Sequence, residues 1–111
     1  MNDETVLNNL ISELKRGTQV MAVLAQLHHG RYGYAILQDL SAKGIPIEAG
    51  TLYPLLRRLE SQGLLQSEWD TTEQRPRKYY ILSPLGLETY KALIEEWNGL
   101  VDNMNQILKE Q

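Results

Sequence analysis

Five basic side chains fall in two short stretches of this chain, and their chemistry is that of anion binding. Arg57 and Arg58 are adjacent in the first stretch, and Arg75, Arg77 and Lys78 lie in the second. Guanidinium and ammonium groups bind phosphate oxygens, and an arginine can also donate two hydrogen bonds to a guanine. These residues therefore suit the binding of a polyanion.

Other reactive groups give no sign of catalysis or of metal binding. The chain has no cysteine, which excludes disulfides, zinc–thiolate sites and thiol chemistry. His28 and His29 are adjacent on a predicted helix and point in different directions, without an acid or nucleophile at triad or ligand spacing. We therefore expect no enzymatic activity, no cofactor and no metal.

The distribution of charge reverses what the total charge suggests. The 111 residues carry a formal net charge of −3, which alone disfavours a nucleic-acid partner. Residues 1–14 contribute −3 and residues 92–111 another −3, whereas residues 15–91 hold ten bases against seven acids. Short apolar runs and the absence of a leader-like N-terminus disfavour a membrane partner and secretion, so we expect a cytoplasmic protein.

Apolar residues at steps of three and four predict five helices that position these bases. Thr18 and Ser83 are the expected N-caps, and Gly44 and Gly63 are the expected terminators. The first three expected helices are residues 4–16, Thr18 to about His29, and Tyr34–Lys43. The fourth begins between Glu48 and Thr51 and ends at Gln62, and the fifth covers residues 84–109.

Two extended segments, Leu64–Trp69 and Arg77–Leu82, predict a hairpin between the last two helices. The fold class is therefore mostly α with a small β-hairpin, in the order typical of a winged helix-turn-helix with a long C-terminal helix. We expect residues 1–82 to form a DNA-binding domain with an extra N-terminal helix, and residues 83–111 to form a dimerisation helix. In this architecture the helix after the turn enters the major groove, and the hairpin, or wing, lies along the DNA backbone or the minor groove.

Three segments resemble the PadR family of bacterial transcriptional regulators. They are Gly33-Tyr34, residues 50–65 (GTLYPLLRRLESQGLL) and residues 77–83 (RKYYILS) followed by Gly86, and the likeness covers roughly residues 18–90. One helix follows the wing, as in the short subgroup, some of whose members are multidrug-sensing repressors, such as a lactococcal regulator. The wing departs from the family pattern because it has no glycine between Asp70 and Lys78, which predicts a stiffer tip.

Eight residues are the expected DNA contacts: Tyr34, Gly50, Thr51, Tyr53, Arg57, Arg75, Arg77 and Lys78. Gly50 would permit a close approach of backbone and DNA, and Arg57 would contact either a guanine or a phosphate. Tyr34 is either the phosphate ligand that the resemblance implies or a packing residue. The wing bases either contact the DNA backbone or form a solvated tip. Lys15 and Arg16 are weaker candidates for the same surface.

The last helix carries an apolar seam at alternating steps of three and four residues. Further apolar residues, among them Val101, flank this seam at steps of seven. The seam consists of Tyr90, Leu93, Trp97, Leu100, Met104 and Ile107. So wide a stripe needs a partner, and a second copy would form a homodimer that matches a palindromic operator. The resemblance implies that Trp97, with Leu93 and Leu100, stacks a planar aromatic small molecule between subunits. The alternative is simple packing at the interface.

The sequence therefore predicts a dimeric, sequence-specific DNA-binding transcriptional repressor. The resemblance implies that a planar hydrophobic ligand between the subunits regulates it, either by releasing it from DNA or by strengthening DNA binding. The alternative is a winged-helix module that binds another protein through the same face, without DNA. A steep dependence of DNA binding on salt would separate the two, because phosphate contacts release counterions.

Overall fold

Helices and strands follow one another in the predicted order, with one short strand added. The structure is a computed structural model that describes residues 3–110. The first two residues of the predicted DNA-binding domain and the last residue of the predicted dimerisation helix, residues 1, 2 and 111, lie outside the described residues. The elements are α1 (Asp3–Arg16), α2 (Gln19–Ala25), β1 (Arg31–Tyr32), α3 (Gly33–Ala42), α4 (Ala49–Ser61), β2 (Leu65–Asp70), β3 (Arg77–Leu82) and α5 (Pro84–Lys109). The predicted class, mostly helical with a small sheet, is confirmed.

The sheet has three antiparallel strands in the order β1-β3-β2, so the expected two-stranded hairpin was incomplete. Strand β1 pairs Arg31 with Tyr80 and Tyr32 with Tyr79. The hairpin itself runs in register from Leu65 opposite Leu82 to Asp70 opposite Arg77. Two residues are too few for an alternating pattern, which is why the sequence did not reveal β1.

One of the two predicted N-caps is confirmed and the other is wrong. The Ser83 hydroxyl accepts a hydrogen bond from the Gly86 amide at 2.9 Å, and Pro84 follows at the first helical position. Thr18 instead has a helical backbone, and its hydroxyl donates to the Lys15 carbonyl at 2.7 Å. An N-cap side chain needs an extended backbone to reach the first turn, so Thr18 cannot cap α2.

Two helices end just before their predicted terminating glycines, whereas α2 ends earlier than predicted. Gly44 and Gly63 have φ of 83° and 82°, the left-handed conformation expected after a helix. Helix α2 ends at Ala25 and not near His29, because the amides of Gln26 and Leu27 bond to carbonyls three residues back. The chain therefore tightens before it reaches β1.

The core lies where α2, α3 and α4 meet the inner face of the sheet. Each helix contributes residues at three- and four-residue steps, as predicted. The buried apolar residues are Val23, Leu24, Leu27, Ile36, Leu40, Ile47, Leu52, Leu55, Leu56, Leu59, Leu65 and Tyr80. This packing fixes the outward direction of the other face of α4.

Helix α1 and the second half of α5 extend beyond this core. No residue of α1 is buried, and Leu14 is 76% exposed. Tyr90 and Leu93 of α5 pack against the core, but Leu100 is 54% exposed and Met104 and Ile107 are exposed as well. Two apolar helical faces therefore lie uncovered in the single chain.

Candidate nucleic-acid interface

The outward face of α4 is polar, and it presents the residues that the sequence placed at DNA. Gly50, Thr51, Tyr53 and Arg57 are all exposed, while the leucines of the opposite face are buried. Pro54 on the same face has no N–H to donate to the Gly50 carbonyl, which leaves a backbone acceptor on this surface. The predicted division of α4 into a core face and a solvent face is confirmed.

A cleft of about 390 Å³ separates α3 and α4 from the wing. Tyr34, Tyr53 and Arg57 line its helical side, and Trp69, Pro76 and Arg77 line its wing side. Arg57 forms no ion pair with any residue between 3 and 110. Its guanidinium therefore keeps its donors for a ligand at the mouth of the cleft.

Tyr34 has the geometry of a hydrogen-bond donor to solvent. It is 64% exposed, and its hydroxyl accepts a hydrogen bond from Gln38 Nε2 at 3.1 Å. Because the oxygen is already held as an acceptor, its own O–H remains to donate to an anion. Its exposure shows that the side chain is not packed within the single chain.

The three wing bases differ in how they are held. Arg75 is exposed and has no ion pair within the described part of the chain. Arg77 Nη2 lies 3.3 Å from Glu73 Oε1 and 3.8 Å from Asp70 Oδ2. Lys78 Nζ is 3.2 Å from Glu60 Oε1 and faces α4. The wing tip is therefore less basic than its sequence suggests, and Arg75 is its freest cation.

Glu60 connects the end of α4 to both long strands. It accepts hydrogen bonds from the Ser67 hydroxyl on β2 and from Lys78 on β3. The Ser67 bond is the larger cause, and the ammonium of Lys78 adds to it, so that the pKa of the Glu60 carboxyl is lowered. This contact fixes the wing relative to the outward face of α4.

Two residues that the sequence did not single out hold the base of the wing. The Tyr32 hydroxyl on β1 donates to the Asp70 carboxylate on β2, across 38 residues of sequence. Asp70 also accepts from the Thr72 amide at 3.0 Å and from the Thr72 hydroxyl at 2.7 Å. The Asp-x-Thr spacing is a local turn signal that could have identified Asp70, but nothing local points to Tyr32.

A third residue, Trp69, was also missed. Its side chain is 63% exposed on the cleft side of the hairpin, and Lys78 Nζ lies 5.6 Å from the ring centroid. Leu65, Ser67 and Trp69 share one face of β2 by strand alternation, and this face continues from the core towards the cleft. The alternation was available in the sequence and would have placed Trp69 beside the basic residues.

A second, apolar groove of about 300 Å³ lies between the start of α2 and α5. Leu93, Trp97 and Leu100, the three expected ligand contacts, all line it with Val20 and Met21. Val101, Met104 and Ile107 follow further along α5. Tyr90, the first residue of the predicted seam, contacts the His28 ring edge-on at 4.8 Å within the same chain.

Neither a metal-binding cluster nor a membrane-spanning helix occurs among residues 3–110. No group of three or more histidine or acidic residues there is arranged to hold a metal ion. Within the same residues, every helix is too short or too polar to cross a bilayer.

Comparison with known proteins gives a consistent result. Residues 20–92 match the model of the transcriptional regulator PadR-like family. A transcriptional regulator of Mycobacterium tuberculosis is 37% identical over 89 residues, which cover 77% of this chain and 80% of that protein.

Solved structures agree over nearly the whole chain. A PadR family transcriptional regulator from Eggerthella lenta is 47% identical with a TM-score of 0.94, over 97% of this chain and 96% of that one. A transcriptional regulator from Clostridium thermocellum is 31% identical with a TM-score of 0.77, over 86% of this chain and 94% of that one.

Proposed function

Because this chain belongs to the PadR-like family of transcriptional regulators, we propose that it is a homodimeric repressor that binds a palindromic operator through α4 and the wing. The observation that carries the proposal is the outward face of α4. Its Arg57 has no ion-pair partner among the described residues and lies across a cleft from the wing. A repressor of this kind would act in the cytoplasm, where bacterial DNA lies.

The contacts divide into two classes. Thr51, Tyr53 and Arg57 lie on the helix that would enter the major groove, where base edges can be distinguished. Tyr34, Arg75 and Arg77 would contact phosphates and set the position of α4 without reading sequence. Lys78 would contribute mainly through its ion pair with Glu60, which holds the wing in place.

Dimerisation would cover the two exposed apolar faces. Helix α1 exposes Val6, Leu7, Leu10 and Leu14, and α5 exposes Leu100, Met104 and Ile107. A two-fold interface joins the same surface on each copy, and it would set two α4 helices at a fixed spacing. Such a dimer matches an inverted repeat in DNA, which supports the palindromic operator.

The groove beside Trp97 would bind a planar aromatic effector. The indole is 38% exposed, and the neighbouring side chains are mostly aliphatic, so binding would rest on stacking and little hydrogen bonding. The groove lies where α5 would meet its partner. Ligand binding would therefore change the spacing of the α4 helices and weaken operator binding by about 1–3 kcal/mol, the usual range of allosteric coupling.

The deciding experiment is to measure binding to DNA from the protein's own upstream region as a function of salt concentration. Arg75 and Arg77 of both subunits would place four arginines per dimer at phosphates, which predicts a slope of log K against log salt of about −4. Lys91→Gln, which removes an exposed charge on α5, is the matched control and should leave the slope unchanged. A salt-independent affinity, or equal affinity for unrelated DNA at every salt concentration, would rule out the proposed specific binding.

A further inference from the structure

The ring of Tyr32 lies beneath the guanidinium of Arg77. Arg77 Cζ is 4.1 Å from the centroid of the Tyr32 ring, a cation–π distance. The hydroxyl of the same tyrosine donates to Asp70, which also accepts two hydrogen bonds from Thr72. One side chain of β1 therefore holds both the first residue of β3 and the last residue of β2.

This contact joins the two parts of the surface proposed to meet DNA. Tyr32 is the N-cap residue of α3, separated from Tyr34 by Gly33 alone. Arg77 is the first residue of β3, at the end of the wing loop. Because Tyr32 touches Arg77 directly, the position of the wing cation is set relative to the backbone that carries Tyr34.

The acids around Arg77 orient it without using all its donors. Only Nη2 of the guanidinium contacts Glu73 and Asp70, at 3.3 and 3.8 Å, and both distances are long for a strong ion pair. A guanidinium has five N–H donors. The remaining ones can contact a phosphate while the ring and the carboxylates keep the group in place.

We propose that Tyr32 is a positioning residue for DNA binding, which holds Arg77 of the wing at a fixed place relative to Tyr34 and α4. The inference rests on the proposed function for its effect on affinity, but the ordering of Arg77 is a property of the free protein. A long side chain that is already ordered loses less freedom when it binds, so the contact would strengthen operator binding.

The test removes the Tyr32 hydroxyl and compares the result with an equivalent change beside it. Tyr32→Phe keeps the ring but breaks the bond to Asp70 that anchors the ring beneath Arg77. Tyr79→Phe alters a ring 5.2 Å away on the same sheet face, whose hydroxyl has no hydrogen bond among the described residues. We expect Tyr32→Phe to weaken operator binding about fivefold, and Tyr79→Phe to leave it within about twofold. On an Arg77→Gln background, Tyr32→Phe should have no further effect, because its influence acts through Arg77.

A second readout uses the free protein and needs no DNA. NMR relaxation of the Arg77 Nε–H group should show an ordered guanidinium in the wild type and in Tyr79→Phe, and a mobile one in Tyr32→Phe. Equal order in all three would overturn the inference, as would a Tyr32→Phe effect that persists in full beside Arg77→Gln. If the order changes as expected but the wild type does not bind DNA, the proposed function fails and the positioning of Arg77 stands.

Discussion

Tyr53 of α4 lies across Gly33 at the start of α3. A methyl group added at Gly33 would come within 2.5 Å of Tyr53 Cε1, closer than real contacts allow, and within 3.1 Å of Tyr53 Cζ. Gly33 is buried, whereas Tyr53 is exposed on the outward face of α4. The glycine therefore permits the ring position that brings Tyr53 to the mouth of the cleft.

This relationship predicts that Gly33→Ala will weaken DNA binding without unfolding the protein. The Tyr53 ring must move outward, and it can do so because its outer side faces solvent. We expect operator affinity to fall about fivefold, or about 1 kcal/mol, in a titration of labelled DNA. Gly17→Ala is the matched control, since an added methyl there meets nothing within 4 Å. Unchanged affinity of Gly33→Ala would place Tyr53 away from the DNA.

Arg57→Ala should reduce operator binding by about 1–3 kcal/mol, because it removes an exposed cation of the outward α4 face that has no ion-pair partner among residues 3–110. Affinities for the operator and for unrelated DNA, measured side by side, then assign its role. A loss larger for the operator indicates a base contact, and an equal loss for both indicates a phosphate contact. Lys91→Ala, an exposed α5 residue, controls for the loss of one positive charge. An unaffected Arg57→Ala variant would contradict the assignment of α4 as the reading helix.

The sequence was sufficient to predict the helices and the faces of α4, because their apolar periodicity is local. Leu52, Leu55, Leu56 and Leu59 are all buried, as the three- and four-residue steps indicated. The same rule cannot reveal β1. Its two residues pair with Tyr79 and Tyr80, far along the chain, and have no periodicity of their own.

The contacts within the wing could not be predicted for the same reason. The bond between Tyr32 and Asp70 and the ion pair of Lys78 with Glu60 join elements separated in sequence by 38 and 18 residues. The sequence identifies Arg77 and Lys78 as basic residues. Their ion-pair partners, however, depend on how the sheet packs against α4. The residue types were therefore predictable, and the availability of each charge was not.

Asp70 should make the stability of the wing depend on pH in the acid range. Hydrogen bonds lower the pKa of Asp70 from 3.8 to about 2. The bond from the Tyr32 hydroxyl has the largest effect, and the two bonds from Thr72 follow. Since the folded pKa is depressed, the stabilising effect is complete above pH 3.8 and is lost as the pH falls towards 2. NMR titration of the Asp70 carboxyl carbon should show this midpoint in the wild type and a higher one in Tyr32→Phe. An ordinary midpoint in the wild type would mean that the Tyr32 bond does not persist in solution.

Leu100→Asp should convert the proposed dimer to a monomer, because it places a charge in the middle of the apolar face of α5. Light scattering coupled to size exclusion should then give a mass near 12.7 kDa, where the wild type gives twice that value. Operator binding should be lost with the dimer, since a single α4 helix reads only one half-site. Lys91→Asp adds an acid on the same helix but outside the predicted seam, and it should remain dimeric. A Leu100→Asp monomer that binds the operator as tightly as the wild type would refute the two-fold arrangement.

Planar aromatic dyes should bind beside Trp97 and weaken operator binding. The chain has two tryptophans, so Trp69→Phe leaves Trp97 as the only indole reporter of the groove. Because stacking on an indole quenches its emission, saturating dye should quench Trp97 in this variant. In the wild type the same dye concentration should lower operator affinity by 5- to about 150-fold, the range that corresponds to allosteric coupling energies. Trp97→Leu keeps an apolar side chain but removes the stacking surface, so it should bind DNA normally and lose the response to dye. Quenching without any change in operator affinity would leave the groove as a binding site that is uncoupled from DNA, and the absence of both effects would assign Trp97 to packing between subunits.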